Sequence, residues 1–548
     1  MRDYLPVHPR NPSPVWGRLM FYSTRLSLVA WSKEWLFPIL ASFTSFLLLW
    51  AAHPPRHSPE SAYLFLLPVL IWFHFRPNVR KTFLCILIAG WIYQIMMVGW
   101  MRHISLGGML AATLLLSCFQ CIWFLVARAW IGRIDILAFP KRFLVIVGLS
   151  SLWVLIEWAR TLFTLGFPWC PLSVTQWERP VLLQSAWYGG GWTISFFLIF
   201  FNLCTASYLH HLLLRRHQAK GFLHRSICPD LYIAVLLLLL MVYPYFKGNP
   251  HSQPEPSREM RIGICQPYLK DKWMEGKATE HKQTLIRQTE FLALMKPDII
   301  LWPEASTPYP VNLDTLWVEG LAKKTGIPIL AGSVVREEDA SYNAMVYIDP
   351  IEGFNPEWYA KQILVPFGEY VPWPFNYIPG LEKLVGPVGN FSAGHHSFLM
   401  DLPIREGNAR SSVRAGFMIC YEDIFPAIPR KMVEQGAELL IVSTNDAWFM
   451  EEGCAEQHAA HSVLRAVETK VPVIRCGNAG WSGWIDENGI VRDILLDDRK
   501  SVYFQGAKVV DVRVPSDNSI KAASLGDGFA YFCAFIFFSI AGYFRYKH

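Results

Sequence analysis

Charged residues are scarce in this chain of 548 residues: Asp, Glu, Lys and Arg make up 17%, whereas hydrophobic residues make up 52%. This balance argues against a single water-soluble globule. The apolar excess lies before residue 247 and after residue 525, and the stretch between has the composition of an ordinary soluble domain. The composition therefore predicts a membrane protein that carries one globular domain.

Several common sequence signals are also missing. The first 34 residues contain no basic, apolar and small-residue cleavage regions in succession, so we expect no removable signal peptide. No Gly-rich phosphate loop follows a strand, and no stretch interleaves basic and aromatic residues. We therefore expect neither an organic cofactor nor a nucleic-acid partner.

The 11 cysteines form no regularly spaced framework, and several lie in apolar runs, where cysteine behaves as a small hydrophobic residue. Cys118 and Cys121 form a CxxC pair on an apolar helix. No second ligand pair follows at the spacing of a zinc site, so a metal or redox role is disfavoured. The sequence predicts no metal.

Apolar runs of the length that a bilayer requires, about 20 residues, recur along the chain. A shorter run at 61–75 has polar flanks, HPPRHSPE and RPNVRK, and we count it as a span; buried helices of a large soluble core are the disfavoured alternative. We predict eight transmembrane helices. The other seven runs lie near 35–52, 82–100, 107–127, 143–159, 187–209, 231–246 and 527–544. The predicted parts are a basic tail (1–34), seven helices (35–247), a soluble domain (258–515) and a last helix (525–544).

Basic residues concentrate in alternate short segments, which indicates orientation in the membrane. One set carries most of the positive charge, including the tail and residues such as Arg76, Arg128 and Arg215. The opposite loops hold only Arg56, Arg102, Arg160 and Arg179. Both termini are therefore predicted to be cytoplasmic, and the soluble domain is predicted to lie on the other side, which in a bacterium is the periplasm.

The soluble domain alternates strand and helix patterns. Amphipathic helices are predicted at 279–296 and 454–470. Hairpin-like pairs in the middle favour a layered α/β sandwich over a barrel. The predicted strands are 260–267, 298–305, 327–335, 343–350, 413–422, 438–446 and 471–478.

Three reactive side chains follow apolar runs in this domain. Cys420 ends the run GFMIC before YEDIFP, Glu304 lies in DIILWPEAS, and Lys361 lies in YAKQILVPFGEYVP. A thiol with a carboxylate as base and an ammonium to stabilise an oxyanion can perform acyl transfer. Individually they also fit a buried strand cysteine, a helix-capping acid and a surface lysine.

In their order, these motifs resemble the Glu-Lys-Cys triad of the nitrilase superfamily, whose fold is an αββα sandwich. With the membrane helices, the whole chain resembles the bacterial apolipoprotein N-acyltransferases, in which such a domain lies between the last two of eight transmembrane helices. The resemblance includes LVPFGEYVP (364–372), CYED (420–423), STNDAWF (443–449), RCGNAG (475–480) and EWARTLFTLGFPW (157–169) followed by Gln176.

The resemblance implies a role for each matching residue. Glu304 would be the general base, Lys361 the transition-state stabiliser and Cys420 the nucleophile. It further implies an orienting acid at Glu369, supporting roles for Tyr421 and Glu422, and substrate binding by Trp273. Trp273 as a membrane-interface anchor, and Glu422 as a purely structural acid, remain open alternatives.

The chain departs from the family pattern at three places. Met450 replaces a glycine after STNDAWF, the EWAR segment lacks the usual Gly-Trp, and the N-terminal tail is longer and more basic. The first two departures concern the shape of loops near the site. They bear on substrate fit more than on chemistry.

The implied reaction transfers an acyl chain from a membrane phospholipid to the N-terminal α-amine of diacylglyceryl-cysteine in apolipoproteins, through a thioester on Cys420. The implied location is the bacterial cytoplasmic membrane. The alternatives are a membrane-tethered nitrilase or amidase that hydrolyses C–N bonds, and a non-enzymatic channel, transporter or scaffold.

Overall fold

The computed structural model describes residues 15–132, 138–162, 167–213, 228–248, 257–270, 276–379, 391–404, 411–515 and 525–546. The described chain forms a helical bundle and an α/β domain. The bundle contains α1 (Val15–Ala52), α2 (Leu67–His74), α3 (Val79–Val98), α4 (Leu106–Ile131), α5 (Phe139–Leu162), α6 (Pro180–Leu183), α7 (Ala186–Gly189), α8 (Gly191–Leu213), α9 (Pro229–Gly248) and, after the α/β domain, α14 (Asp527–Tyr546).

Within the described ranges, seven helices are long and apolar enough to cross a membrane. The prediction of eight such helices is corrected at 61–75, where the structure has a 3-10 helix, Pro59–Tyr63, and the short helix α2. Eight helical residues extend only about 12 Å, less than half of a bilayer core. Helix α1 also begins at Val15, inside the predicted tail. The seven spans are Glu34–Ala52, Val79–His103, Leu106–Ile131, Phe139–Leu162, Gly191–Leu212, Pro229–Lys247 and Asp527–Tyr546.

The segment between α1 and α3 nevertheless returns across the bundle. The Lys81 Nζ lies 2.5 Å from Glu34 Oε1, so α3 begins beside the start of the apolar part of α1. At the other end, the carbonyls of Pro54 and Met97 accept hydrogen bonds from the same side chain. The two helices therefore run in the same direction, and the chain between them has to cross back.

Buried polar side chains satisfy the broken backbone of this crossing. Asn202 of α8 accepts from the Leu66 amide at 3.0 Å and donates to the Ala62 carbonyl at 2.8 Å. Ser45 accepts from the Val69 amide at 3.3 Å. Irregular backbone at membrane depth is tolerated when protein groups replace the missing hydrogen bonds.

The α/β domain consists of two facing sheets. The seven-stranded sheet has the order β13-β1-β2-β3-β4-β5, with β6 paired to β4, and the six-stranded sheet has the order β12-β11-β10-β9-β8-β7. The strands are β1 (Ser257–Gln266), β2 (Ile299–Trp302), β3 (Ile329–Glu337), β4 (Ala340–Asp349), β5 (Gly353–Phe354), β6 (Tyr359–Ala360), β7 (Leu399–Ile404), β8 (Ser411–Ile419), β9 (Leu439–Thr444), β10 (Val473–Gly477), β11 (Gly483–Ile485), β12 (Val491–Ile494) and β13 (Gly506–Pro515).

Helices cover the outer faces of both sheets and confirm the αββα sandwich. The side-chain alternation of strands separates two apolar layers: in β2, Leu301 faces the other sheet, whereas Ile300 packs with the outer helices. The helices are α10 (Ala278–Ala293) and α11 (Leu316–Thr325) on the first sheet, and α12 (Ala427–Glu434) and α13 (Cys454–Thr469) on the second. Buried residues of α13 belong to the same apolar core as those of the bundle.

Candidate active site

The structure brings together the three side chains that the sequence predicted. Glu304 follows β2, Lys361 follows β6 of the same sheet, and Cys420 follows β8 of the facing sheet. The Lys361 Nζ lies 3.5 Å from Glu304 Oε1. The Cys420 thiol interacts electrostatically with both of these charges. A carboxylate, an ammonium and a thiol therefore share one site between the two sheets.

Glu304 is buried, and the neighbouring strand fits closely beneath it. A Cβ placed on Gly332 of β3 would lie 2.5 Å from the Pro303 carbonyl oxygen and 2.8 Å from the Glu304 Cα. Distances this short exclude any side chain at position 332. The glycine therefore allows the turn that presents the Glu304 carboxylate to the site.

Lys361 is 1% exposed and lies between two carboxylates, with its Nζ 2.9 Å from Glu369 Oε1 and 3.5 Å from Glu304 Oε1. Burial lowers the pKa of this amine, but Glu369 and Glu304 together outweigh burial and hold the pKa above its usual value. Lys361 is therefore an ammonium at physiological pH. Glu369 is itself fixed by the Val365 amide, which donates to its Oε2 at 2.7 Å.

Asn343 of β4 is a site residue that the sequence analysis did not identify. Its side-chain Nδ2 donates to Glu304 Oε1 at 2.7 Å and to Glu369 Oε1 at 3.1 Å. Its backbone carbonyl accepts from the backbone amide of Lys361 at 2.8 Å. The available signal was a polar residue that opens the apolar strand NAMVYIDP. Asn343 orients all three charged groups.

Cys420 begins a 3-10 turn, Cys420–Ile424, with φ +52°. Non-glycine residues adopt this left-handed conformation uncommonly, and it is found at functional sites. Burial raises the pKa of the thiol well above its usual value, and the Glu304 carboxylate raises it further, whereas Lys361 lowers it. Because the resting thiol is protonated, attack requires a base within the site.

Glu422 joins the Cys420 turn to the segment that carries Lys361. Its carboxylate accepts from the Tyr359 hydroxyl at 2.9 Å and from the backbone amides of Gln362 at 2.6 Å and Ile419 at 2.7 Å. Burial raises the pKa of Glu422 to about 7. These contacts connect the two sheets.

Tyr421 faces the membrane bundle. Its ring is nearly parallel to that of Phe167, with the centroids 6.3 Å apart and the planes inclined by 14°. The ring of Phe425 packs edge-on against that of Tyr421, with the centroids 5.2 Å apart. The turn that carries the thiol is therefore in direct contact with the bundle.

A buried network of charges lies behind the thiol. The His458 Nδ1 lies 3.0 Å from Asp446 Oδ1, and its Nε2 lies 2.8 Å from Asp423 Oδ1 and 3.0 Å from the Cys420 carbonyl. Burial lowers the pKa of His458, but the two aspartates outweigh burial and raise it to about 9. Arg475 and Ser462 also donate to Asp423.

Within the described residues, one set of side chains has the geometry to hold a metal ion. The ligand atoms of Cys420, Asp446 and His458 lie within 4.8 Å of one another. Both ring nitrogens of His458 already contact carboxylates, however, and a metal would have to displace these ion pairs. The expected absence of a metal stays a prediction.

Two tryptophans of the sequence motifs, Trp273 and Trp169, differ in what the structure shows of them. Trp273 lies outside the described residues, so its predicted role in substrate binding stays a prediction. Trp169, the last residue of the EWARTLFTLGFPW motif, is buried, and its Nε1 donates to Gln457 Oε1 at 2.8 Å. Trp169 is therefore a packing residue.

Comparison with known proteins gives two family models in succession, the apolipoprotein N-acyltransferase N-terminal domain over residues 45–204 and carbon-nitrogen hydrolase over residues 261–513. The apolipoprotein N-acyltransferase of Geobacter metallireducens is 29% identical over 63% of this chain and 65% of its own. The chain thus spans slightly less than two thirds of that relative's length.

The apolipoprotein N-acyltransferase of Chlorobaculum tepidum is 24% identical over 86% of this chain and 92% of its own. A nitrilase-superfamily amidase from Nesterenkonia AN1, a solved structure, covers 49% of this chain and 94% of its own at 16% identity, with a TM-score of 0.35. The order of the two family models is the order of the bundle and the α/β domain. In both its bundle and its α/β domain, this bacterial membrane protein is therefore similar to the apolipoprotein N-acyltransferases.

Proposed function

We propose that this protein N-acylates apolipoproteins. It transfers an acyl chain from a membrane phospholipid to the α-amine of an N-terminal diacylglyceryl-cysteine, through a thioester on Cys420. The observation that carries the proposal is the Lys361 ammonium, held between Glu304 and Glu369 beside the partly buried thiol of Cys420. The contact of Tyr421 with Phe167 adds that this site adjoins the membrane bundle, where lipid-anchored substrates arrive.

In the first half-reaction, Glu304 accepts the proton of Cys420 and the thiolate attacks an ester carbonyl of the phospholipid. The C–S bond forms and the C–O bond to the glycerol breaks. Glu304 returns the proton to the leaving oxygen, which gives a lysophospholipid. The Lys361 ammonium stabilises the oxyanion of the tetrahedral intermediate.

In the second half-reaction, the α-amine of the lipoprotein attacks the thioester. The C–N bond forms and the C–S bond breaks. Glu304 accepts a proton from the amine, and the thiolate is released as the leaving group and reprotonated from Glu304. This ping-pong sequence balances without a metal or an organic cofactor.

The supporting residues follow from the contacts of the site. Glu369 orients Lys361. Glu422 holds the Cys420 turn against the Lys361 segment and so acts through structure rather than on substrate. Tyr421 forms part of the surface between the site and the bundle. Substrate binding by Trp273, which lies outside the described residues, is proposed from the sequence resemblance alone.

The sidedness is part of the proposal. Contacts between the bundle and the α/β domain involve Arg102 and the loop after α5, for example the 2.5 Å contact from Arg102 Nη2 to Glu452 Oε1. These are the helix ends whose loops carry few basic residues, whereas Arg76, Arg80 and Lys81 lie at the opposite ends. By the positive-inside rule, the α/β domain is periplasmic and both termini are cytoplasmic.

The test is a transfer assay in vesicles that contain phospholipid with a labelled acyl chain and a diacylglyceryl-cysteine peptide. The purified protein is expected to move label to the peptide amine, whereas Cys420→Ser is expected to be inactive. Cys118→Ser, which changes an exposed cysteine, is the matched control and should retain activity. Release of free fatty acid without peptide labelling would favour the hydrolase alternative. Transfer by Cys420→Ser would contradict the mechanism.

A further inference from the structure

Helix α13 contacts the bundle with one face and the thiol-bearing turn with the adjoining face. Gln457, His461 and Glu468 have helical spacings of four and seven residues, which places them on one side. His461 Nε2 accepts from the Cys170 amide at 3.3 Å, and Glu468 Oε1 accepts from the Gly191 amide at 2.7 Å. This side of the helix therefore contacts the membrane part of the chain.

Gln457 makes four hydrogen bonds to the membrane part of the chain. Its Oε1 accepts from Trp100 Nε1 at 3.1 Å and from Trp169 Nε1 at 2.8 Å. Its Nε2 donates to the carbonyl of Pro54 at 3.3 Å and to that of Met97 at 3.0 Å. Four hydrogen bonds use the full capacity of a glutamine amide. They join the ends of α1 and α3 and the loop after α5 through one side chain that is 1% exposed.

The adjoining face begins at the next residue. The His458 Nε2 lies 3.0 Å from the Cys420 carbonyl oxygen. Four and seven residues further along, Ser462 donates to Asp423 at 2.6 Å, and Arg465 Nη1 lies 3.5 Å from the Ile424 carbonyl oxygen. This face therefore holds the 3-10 turn that begins at Cys420.

We propose that α13 fixes the thiol in register with the membrane bundle, and that Gln457 is a positioning residue for lipid substrates. This inference rests on the proposed function, because it concerns a donor that reaches Cys420 from the bilayer. Gln457 contacts neither the thiol nor the charges of Glu304 and Lys361. Its loss should therefore displace the turn relative to the lipid path and leave the intrinsic chemistry of the site intact.

Two acyl donors separate these effects. Vesicles of phosphatidylethanolamine and phosphatidylglycerol present the acyl ester from the bilayer, whereas p-nitrophenyl butyrate reaches the thiol from solution. Gln457→Leu keeps the size of the side chain but removes all four hydrogen bonds. We expect acylation of Cys420 from vesicles to slow by about tenfold or more and acylation by the soluble ester to stay within about twofold, because small misplacements strongly affect a positioned reaction.

Gln184→Leu is the matched control. Gln184 also joins the bundle to the α/β domain, since its Nε2 donates to the Asn488 carbonyl at 2.9 Å and its Oε1 accepts from Lys470 at 2.7 Å. Neither of these contacts involves the Cys420 turn. We expect this variant to react with both donors at about the rate of the unmodified protein.

Trp100→Phe removes a single hydrogen bond to Gln457. This variant replaces Gln457→Leu in the same two assays if Gln457→Leu does not fold. A loss confined to the vesicle donor in either variant supports the positioning role. Equal rates with the unmodified protein, or equal losses with both donors, would overturn it. If the unmodified protein reacts with the soluble ester but never with vesicles, the proposed function itself fails, which is a different result.

Discussion

The side-chain amide of Asn343 joins Glu304 and Glu369, with its Nδ2 2.7 Å from one carboxylate oxygen and 3.1 Å from the other. The Lys361 ammonium lies between the same two carboxylates. Two acids are thus held close together by one cation and one neutral donor. This arrangement fixes the orientation of the Glu304 carboxylate, the proposed acceptor of the Cys420 proton.

Replacing Asn343 with leucine should slow acylation of Cys420 by about tenfold or more, since proton transfer by a positioned side chain contributes about 10²–10⁴ in rate. The measurement is the rate of Cys420 acylation by intact-mass spectrometry. Asn312→Leu is the matched control, because Asn312 lies away from the site and donates to the Arg336 carbonyl. If the two leucine variants reacted equally fast, the orienting role would be wrong.

Replacing Lys361 with methionine should abolish acylation and destabilise the protein. Removing one partner of a buried ion pair costs about 3–5 kcal/mol, because the remaining charges are left uncompensated. Adding Glu369→Gln should recover part of the thermal stability and none of the acylation. Thermal unfolding in detergent and intact mass measure the two effects separately. A fully active Lys361→Met would contradict the proposed stabilisation of the oxyanion.

Replacing Glu304 with glutamine should slow acylation by phospholipid by about 10² or more. Because the pKa of the Cys420 thiol is raised by burial, iodoacetamide should alkylate Cys420 about tenfold faster per pH unit between pH 7 and 9. Alkylation at pH 9 should persist in the glutamine variant, since hydroxide replaces the base. A plateau in alkylation below pH 8, measured on the Cys420 peptide, would show instead a resting thiolate.

The charge on His458 should make stability depend on pH. Its pKa is raised to about 9 in the folded protein, from an ordinary value of 6.5. A raised pKa contributes stability that is fully present below pH 6.5 and is lost as the pH rises through 9, on the order of 3 kcal/mol in total.

His458→Gln removes this contribution. The difference in Tm between the unmodified protein and the variant should be largest near pH 6 and should shrink by pH 10. The groups that face His458 are Asp423, Asp446, Arg475 and the Cys420 carbonyl. A difference in Tm that stays constant with pH would show that His458 is neutral in the folded state.

The sequence singled out Glu304 and Cys420 because each follows an apolar strand, and strand ends can be read from local pattern. Lys361 follows only the two-residue strand β6, and the roles of all three residues came from resemblance to a family motif. It could not predict the break at 61–75. Hydropathy reports apolar length but not helix continuity, and the group that satisfies the broken backbone, Asn202, is more than 100 residues away.

The sequence analysis did not predict strands β7 and β13, and each omission has a physical reason. β7 contains Pro403, which is unusual within a strand. β13 alternates apolar and charged residues in a half-exposed pattern that is easily taken for a surface segment. Gln457 was hidden for a related reason, because its partners Trp100, Trp169 and Met97 come from the other half of the chain.

In the proposed mechanism, Cys420 carries the acyl chain between two lipid substrates. The most direct measurement is the intact mass of the purified protein after incubation with phospholipid vesicles, before and after addition of a diacylated lipopeptide. We expect an adduct of acyl mass on Cys420 that the peptide amine removes, and no adduct on Cys420→Ser. An unmodified Cys420 in a preparation that still acylates the peptide would contradict this mechanism.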